Sequence, residues 1–111
     1  MVSYQQVVQK QMKMSTTFVS MTVEDGRGGK IVFALEVTPF DSDDARMGAG
    51  EVTREVSLRD GKIVGCAPSK TQRDVSIDRI EGIDDLVENG EIARIGAAEF
   101  ERLWNAARGH R

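Results

Sequence analysis

The chain has 111 residues, of which 40% are hydrophobic, 30% charged and 5% aromatic, a composition ordinary for one soluble globular domain spanning 1–111. Lys and Arg number 15 against 18 Asp and Glu, so the formal net charge is −3, which disfavours a protein that coats itself in nucleic acid. The longest apolar run, at 31–35, is far short of the roughly 20 residues that cross a bilayer, and the Gln-rich start lacks the apolar block of a signal peptide. We therefore predict a cytoplasmic protein with no membrane partner.

Catalytic chemistry has few candidate residues. Cys66 is the single cysteine and His110 the single histidine, so the chain has no internal disulfide and no zinc site built from cysteines. Cys66 follows an expected strand, where a nucleophile can project, but His110 lies next to the C-terminus in a segment expected to fray. We favour a buried or incidental thiol, and we predict no catalytic residue, no metal ligand and no cofactor.

The first predicted element is a helix over residues 4–14. Apolar side chains recur there at helical spacing, at Tyr4, Val7, Val8 and Met12. Ser3 and Gln6 have the spacing of a capping box. A strand would instead align the polar Gln6 and Lys10 with the apolar Tyr4 and Val8.

Two β-hairpins are predicted next. In the first, alternating segments at 17–23 and 31–37 flank a glycine-rich tip at 25–29. The tip, with Arg27 and Lys30, also has features of a phosphate loop, but a strand follows it where such a loop needs a helix, so we favour a hairpin turn.

In the second predicted hairpin, Asp60-Gly61 separates two apolar segments and predicts a type I′ turn. Alternation places Arg54 on the face of Val52 and Val56, which predicts that this face is partly exposed or lies at a sheet edge.

Two polar segments are predicted to be loops. The first, at 39–50, contains Asp41, Asp43 and Asp44, but the positions that follow lack the ligands of an EF-hand, so we favour a solvated turn over a cation site. The second is the polar stretch at 67–73, after the second hairpin.

The C-terminal half is predicted to contain two helices. Helical spacing links Ile80, Ile83, Leu86 and Val87, with Ser76 as N-cap and Asn89-Gly90 as the stop. A fifth short strand at 91–95 then leads into a final helix that begins near Gly96 and buries a stripe comprising Phe100, Leu103, Trp104 and Ala107. The predicted fold is α+β: a mainly antiparallel sheet of two hairpins, with the N-terminal helix and both C-terminal helices on one face, so that the other face stays uncovered.

Charge is unevenly distributed along the chain. Residues 51–73 have a net charge of +2 and residues 74–101 of −7. This segregation can steer an oppositely charged partner or a second copy of the chain.

The leading hypothesis for the function is a small non-enzymatic binding or adaptor protein that acts through protein–protein contacts, including a homodimer. One alternative is an enzyme or ligand-binding domain with a cleft between sheet and helices, walled by Asp41, Asp43, Cys66 and the 67–73 loop. A second alternative is a nucleic-acid-binding module that uses a basic hairpin face. The candidate ligand-binding or partner-binding residues are Arg27, Lys30, Arg54, Arg59, Lys62, Lys70 and Arg73.

Overall fold

The computed structural model describes residues 16–40 and 49–109. Its elements in chain order are β1 (Thr17–Glu24), β2 (Lys30–Pro39), β3 (Gly50–Arg59), β4 (Lys62–Ala67), β5 (Arg79–Ile80), α1 (Ile83–Glu88), β6 (Ile92–Arg94) and α2 (Ala97–Gly109). The predicted helix over 4–14 and the acidic residues of the 39–50 loop lie outside the described residues.

The described strands form one antiparallel six-stranded sheet in the order β4-β3-β2-β1-β6, in which β5 pairs with β3. β3 is long enough to serve two partners on the same side: its first two residues pair with β5 and its second half pairs with β4. Both predicted hairpins are confirmed, as is the short strand that precedes the final helix. Asp60 (φ 53°) and Gly61 (φ 79°) both have positive φ, as the predicted type I′ turn requires.

The apolar residues of the sheet form clusters on both of its faces. In one cluster, Leu35 and Val37 of β2 pack with Ile83 of α1. In the other, Ala34 of β2 packs with Phe100 of α2. Because successive residues of a strand point to opposite faces, α1 and α2 cover opposite faces of the sheet. The prediction that both helices lie on one face, with the other face uncovered, is therefore wrong.

The helix predicted from Ser76 onward is also wrong in its first half. Residues Arg79–Ile80 form β5 with the start of β3, and Val52 N–H donates to the carbonyl oxygen of Asp78 at 2.9 Å. Gly82 then adopts a left-handed conformation (φ 69°), so that α1 has only six residues. This segment therefore pairs with β3 instead of adding a turn to α1. Only α2 lies at the C-terminal end of the described chain.

A bulge in β3 changes the faces assigned from the sequence. Glu36 pairs with Arg54 while its neighbour Val37 pairs with Val52, so Thr53 is an extra residue in the ladder. The bulge places Val52 in the cluster of α1 and leaves Arg54 on the face of α2. The predicted common face of Arg54 and Val52 is therefore wrong, whereas that of Arg54 and Val56 is correct. Arg54 lies on an internal strand rather than at a sheet edge.

Neither helix in the described ranges has both the length and the apolar character needed to cross a membrane.

Candidate binding groove

A groove of about 640 Å³ lies between β4, the turn that follows it and the C-terminal half of α2. This volume falls within the roughly 300–1,000 Å³ typical of ligand sites in proteins. Its lining residues are Ile63, Val64, Gly65, Cys66, Pro68, Ser69, Lys70, Thr71, Trp104, Ala107 and Arg108. The structure thus brings Cys66 and the 67–73 loop together, as the cleft hypothesis expects, whereas Asp41 and Asp43 lie outside the described residues.

The floor of the groove is apolar and closely packed. Cys66 and Trp104 are each 8% exposed. The Trp104 ring stacks near that of Phe100, with 6.4 Å between centroids, and the Arg54 guanidinium lies 5.1 Å from the centroid of Trp104 and 5.0 Å from that of Phe100. These cation–π contacts help to fix the position of the indole.

Arg54 is itself held by carboxylates on both sides. Its Nη2 lies 2.5 Å from Oε2 of Glu36, and the same nitrogen donates to Glu101 of α2. Hydrogen bonds donated by Arg54, supported by one from Thr53, hold the pKa of Glu36 below its ordinary value despite partial burial. The acceptors Glu36 and Glu101 in turn raise the pKa of Arg54. Arg54, predicted as a partner-binding residue, is therefore occupied within the fold.

The rim of the groove carries positive charge from two elements. Lys70 lies in the turn after β4 and Arg108 in the last turn of α2, and no Asp or Glu is among the described residues that line the groove. The turn is closed by Ser69 N–H donating to the carbonyl oxygen of Gln72 at 2.7 Å and by Gln72 N–H donating to Ser69 Oγ at 3.1 Å. A closed turn holds the Lys70 backbone at a defined place on the rim.

The basic residues of the two hairpin tips lie at the end of the sheet where the β1–β2 and β3–β4 turns are neighbours, and none of them lines the groove. The register pairs Ile31 with Arg59 and Lys30 with Glu24, which places both tips side by side. Arg27 and Lys62 belong to this end, while Arg73 is exposed in the loop beyond the groove. Of the predicted binding residues, Lys70 alone lines the groove.

The glycine-rich tip supplies its own anion. Asp25 Oδ1 accepts the backbone N–H groups of Arg27 at 2.8 Å and Gly29 at 3.0 Å, and Oδ2 pairs with Arg59. These hydrogen bonds, led by that from Arg27, lower the pKa of Asp25. A phosphate in this loop would have to displace the carboxylate from the same donors, so the tip is a hairpin turn closed by Asp25.

A second, more open groove of about 860 Å³ runs along the end of β1, β6 and the end of α1. Its lining carries both Glu91 and Arg94, and Arg94 pairs with Asp84. Its mixed charges select no class of ligand, whereas the charges that line the β4–α2 groove have one sign.

Catalytic machinery is not evident in the groove. Cys66 has no histidine beside it in the described chain, since His110 lies outside that part. In the two described ranges, no group of three or more His, Cys, Asp or Glu side chains is placed to hold a metal ion.

The sequence indicated one wall of the groove but not the other. Trp104 and Arg108 were assigned to the buried stripe and the C-terminal charge of a helix, and nothing in the sequence placed the end of that helix beside β4.

The chain matches no protein-family model, no curated protein and no solved structure in the comparisons with known proteins.

Proposed function

We propose that the protein is a cytoplasmic binding module that takes an extended, acidic segment of another protein into the groove between β4 and α2. The observation that carries the proposal is the combination of an apolar floor, a rim whose described charged residues are Lys70 and Arg108, and an edge strand as one wall. A groove between an edge strand and a helix is the geometry in which proteins bind peptides by adding a strand to a sheet.

The edge of β4 offers the main-chain contacts. No described strand pairs with the side of β4 that faces away from β3, so backbone donors and acceptors on that side are available to a strand from a partner. Val64, extra in the β3–β4 ladder, is 59% exposed along this edge. Backbone pairing gives affinity for any extended segment, and the groove then selects among side chains.

The apolar floor and the positively charged rim of the groove would each select side chains of the partner. Alternate residues of a bound strand point to the same side, so apolar side chains of the partner would contact Ile63, Trp104 and Ala107. Acidic side chains between or beside them would pair with Lys70 and Arg108, because opposite charges at the rim steer association and exclude basic segments. The partner class is thus an acidic segment that also contains apolar residues.

A cytoplasmic location is compatible with the thiol chemistry, since the single cysteine, Cys66, is buried and free, as is usual in reducing compartments. A small anion with an apolar body would use the same lining, and the test below separates it from a peptide.

Trp104 is the only tryptophan, so its fluorescence reports on the groove. The probe is a synthetic eight-residue peptide that alternates valine with aspartate. We expect it to shift the emission of Trp104 saturably, with an affinity that falls as salt rises. Lys70→Glu and Arg108→Glu should each weaken binding by about tenfold, because each replaces an attraction with a repulsion.

The matched control is Arg102→Glu, an exposed position on α2 that does not line the groove, and it should leave the affinity unchanged. A peptide with lysine in place of aspartate should not bind. If the acidic peptide leaves the Trp104 emission unchanged, or if N-acetylvaline and free aspartate bind as well as the peptide does, recognition of an extended segment is wrong.

A further inference from the structure

Glu55 is a fully buried carboxylate on the face of the sheet that α1 covers. It is 0% exposed and pairs in register with Leu35 of that face. Its Oε1 accepts Ser76 N–H at 2.8 Å, and its Oε2 accepts Ser76 Oγ at 3.0 Å and Gln72 Nε2 at 3.1 Å. No ion pair found among the described residues includes Glu55. A buried carboxylate without a cation depends on hydrogen-bond donors, so the loop that supplies them is held against the sheet.

Gln72 connects this carboxylate to the groove. Its backbone closes the turn that begins at Ser69, and this turn carries Lys70 and Thr71 on the wall of the groove. Its side chain passes close to Gly65, where an added Cβ would lie 3.6 Å from Gln72 Oε1. Gln72 thus connects the turn that carries Lys70, at the rim of the groove, to the buried carboxylate of Glu55.

We propose that Glu55 is a positioning residue of the β4–α2 groove, which acts through Gln72 to hold the Lys70 wall in place before a partner binds; this inference rests on the proposed function. A wall that is already ordered costs less conformational entropy on binding. Loss of the Gln72 contact therefore lowers the affinity of the groove without removing any group that touches the peptide.

The test compares Gln72→Ala with Ser76→Ala. Both substitutions remove one side-chain hydrogen bond to Glu55 Oε2 and keep the backbone bonds that close the turn, but only Gln72 belongs to that turn. Gln72→Ala also removes the hydrogen bonds that Gln72 Nε2 donates to the carbonyl oxygen of Asp74 and to Ser76 Oγ. We expect Gln72→Ala to weaken the valine–aspartate peptide by about three- to tenfold, because the wall must be ordered on binding. Ser76→Ala should change the affinity by less than about twofold at a similar cost in melting temperature, since the Ser76 backbone N–H still donates to Glu55.

Two further measurements separate positioning from general stability. Backbone order parameters of Lys70 and Thr71 in the free protein should fall in Gln72→Ala and stay as in the wild type in Ser76→Ala. In the double variant Glu55→Gln/Gln72→Ala, the affinity should be no lower than in Gln72→Ala, because Glu55 acts through the side chain already removed.

The proposal is overturned if Gln72→Ala leaves the order parameters of Lys70 and Thr71 unchanged, or if Ser76→Ala weakens the peptide as much as Gln72→Ala does. If the wild type binds no peptide while the order parameters fall only in Gln72→Ala, the proposed function fails and the anchoring of the turn through the Gln72 side chain stands.

Discussion

At the scale of the residue, Arg54 shows how a covering helix changes the role of a side chain. Alternation predicts that it shares a face with Val56, which is correct, but it also predicts that this face is partly exposed or at a sheet edge, where a cation is a candidate for partner binding. Instead α2 covers the face, and Arg54 lies between Glu36 and Glu101 and against two aromatic rings. The packing of α2 on β3 joins residues that are distant in the sequence, so this role could not be predicted from the local pattern.

The contact between Glu36 and Arg54 predicts a pH dependence of stability. The hydrogen bonds from Arg54, supported by Thr53, hold the pKa of Glu36 in the folded protein below its ordinary value of 4.5. The unfolded chain therefore takes up a proton first as the pH falls, and the stability contributed by this carboxylate is present above pH 4.5 and is lost through the folded pKa. At pH 7, Glu36→Gln should reduce the free energy of unfolding by about 1–2 kcal/mol.

Urea unfolding at several pH values between 7 and about 3.5 measures this effect. The difference between the wild type and Glu36→Gln should shrink as the pH falls below about 4.5. The control is Glu51→Gln, an exposed carboxylate of β3, which should differ little from the wild type throughout. A difference that stays constant over the whole range would contradict an ionic role for Glu36.

At the scale of the element, predictions from local sequence patterns were more accurate than predictions of how the elements pack together. The hairpins, their Asp60-Gly61 turn and the start of α2 follow from residues that are close in the sequence. The short β5 depends on pairing with Gly50 and Glu51 of a distant strand, and this pairing displaces the first half of a predicted helix. The same reason explains why a groove wall formed by α2 and β4 was not predicted.

The turn between β3 and β4 predicts the effect of a substitution at Gly61. Gly61 has φ 79°, a conformation in which a β-branched side chain is strained. Gly61→Val should lower the melting temperature, with a loss of about 1–2 kcal/mol. Gly61→Asn is the control and should lose less, because asparagine tolerates this conformation. Thermal unfolding followed by circular dichroism measures both, and an unchanged melting temperature in Gly61→Val would be inconsistent with the observed turn.

The packing of α2 predicts the effect of truncating its tryptophan. Trp104 is 8% exposed and contacts Phe100 and Arg54. Trp104→Ala should cost about 3–5 kcal/mol of unfolding free energy, since it removes a large buried ring. Trp104→Phe retains an aromatic ring for Arg54 and should cost less. A loss below about 1 kcal/mol in the alanine variant, measured by urea unfolding, would show that the ring does not help to hold α2 on the sheet.

At the scale of the whole molecule, both faces of the sheet are covered. Segments from the C-terminal half of the chain supply both layers: α2 packs on one face, and α1 with residues of the 68–82 segment packs on the other. An uncovered face was predicted because the sequence indicates few helices, and the loops were expected to cover little of the sheet. Glu55 shows why that assumption is wrong here, since a loop can be fixed to a sheet by hydrogen bonds to one buried carboxylate.

The covered faces change the expectation for self-association. The homodimer predicted from the sequence relied partly on an open apolar face, and in the described structure only the sheet edges remain for pairing. The β5 and β6 edges are only two and three residues long. Pairing of two β4 edges would bring together the Lys70 and Arg108 rims of both copies, and these like charges oppose it. We therefore expect sedimentation at micromolar concentration to show one species near 12.2 kDa. A species of about twice that mass would contradict this expectation. If that dimer persists as the salt concentration is raised, it indicates pairing through a sheet edge. If the dimer dissociates as salt is raised, it indicates contact between the basic 51–73 and acidic 74–101 segments.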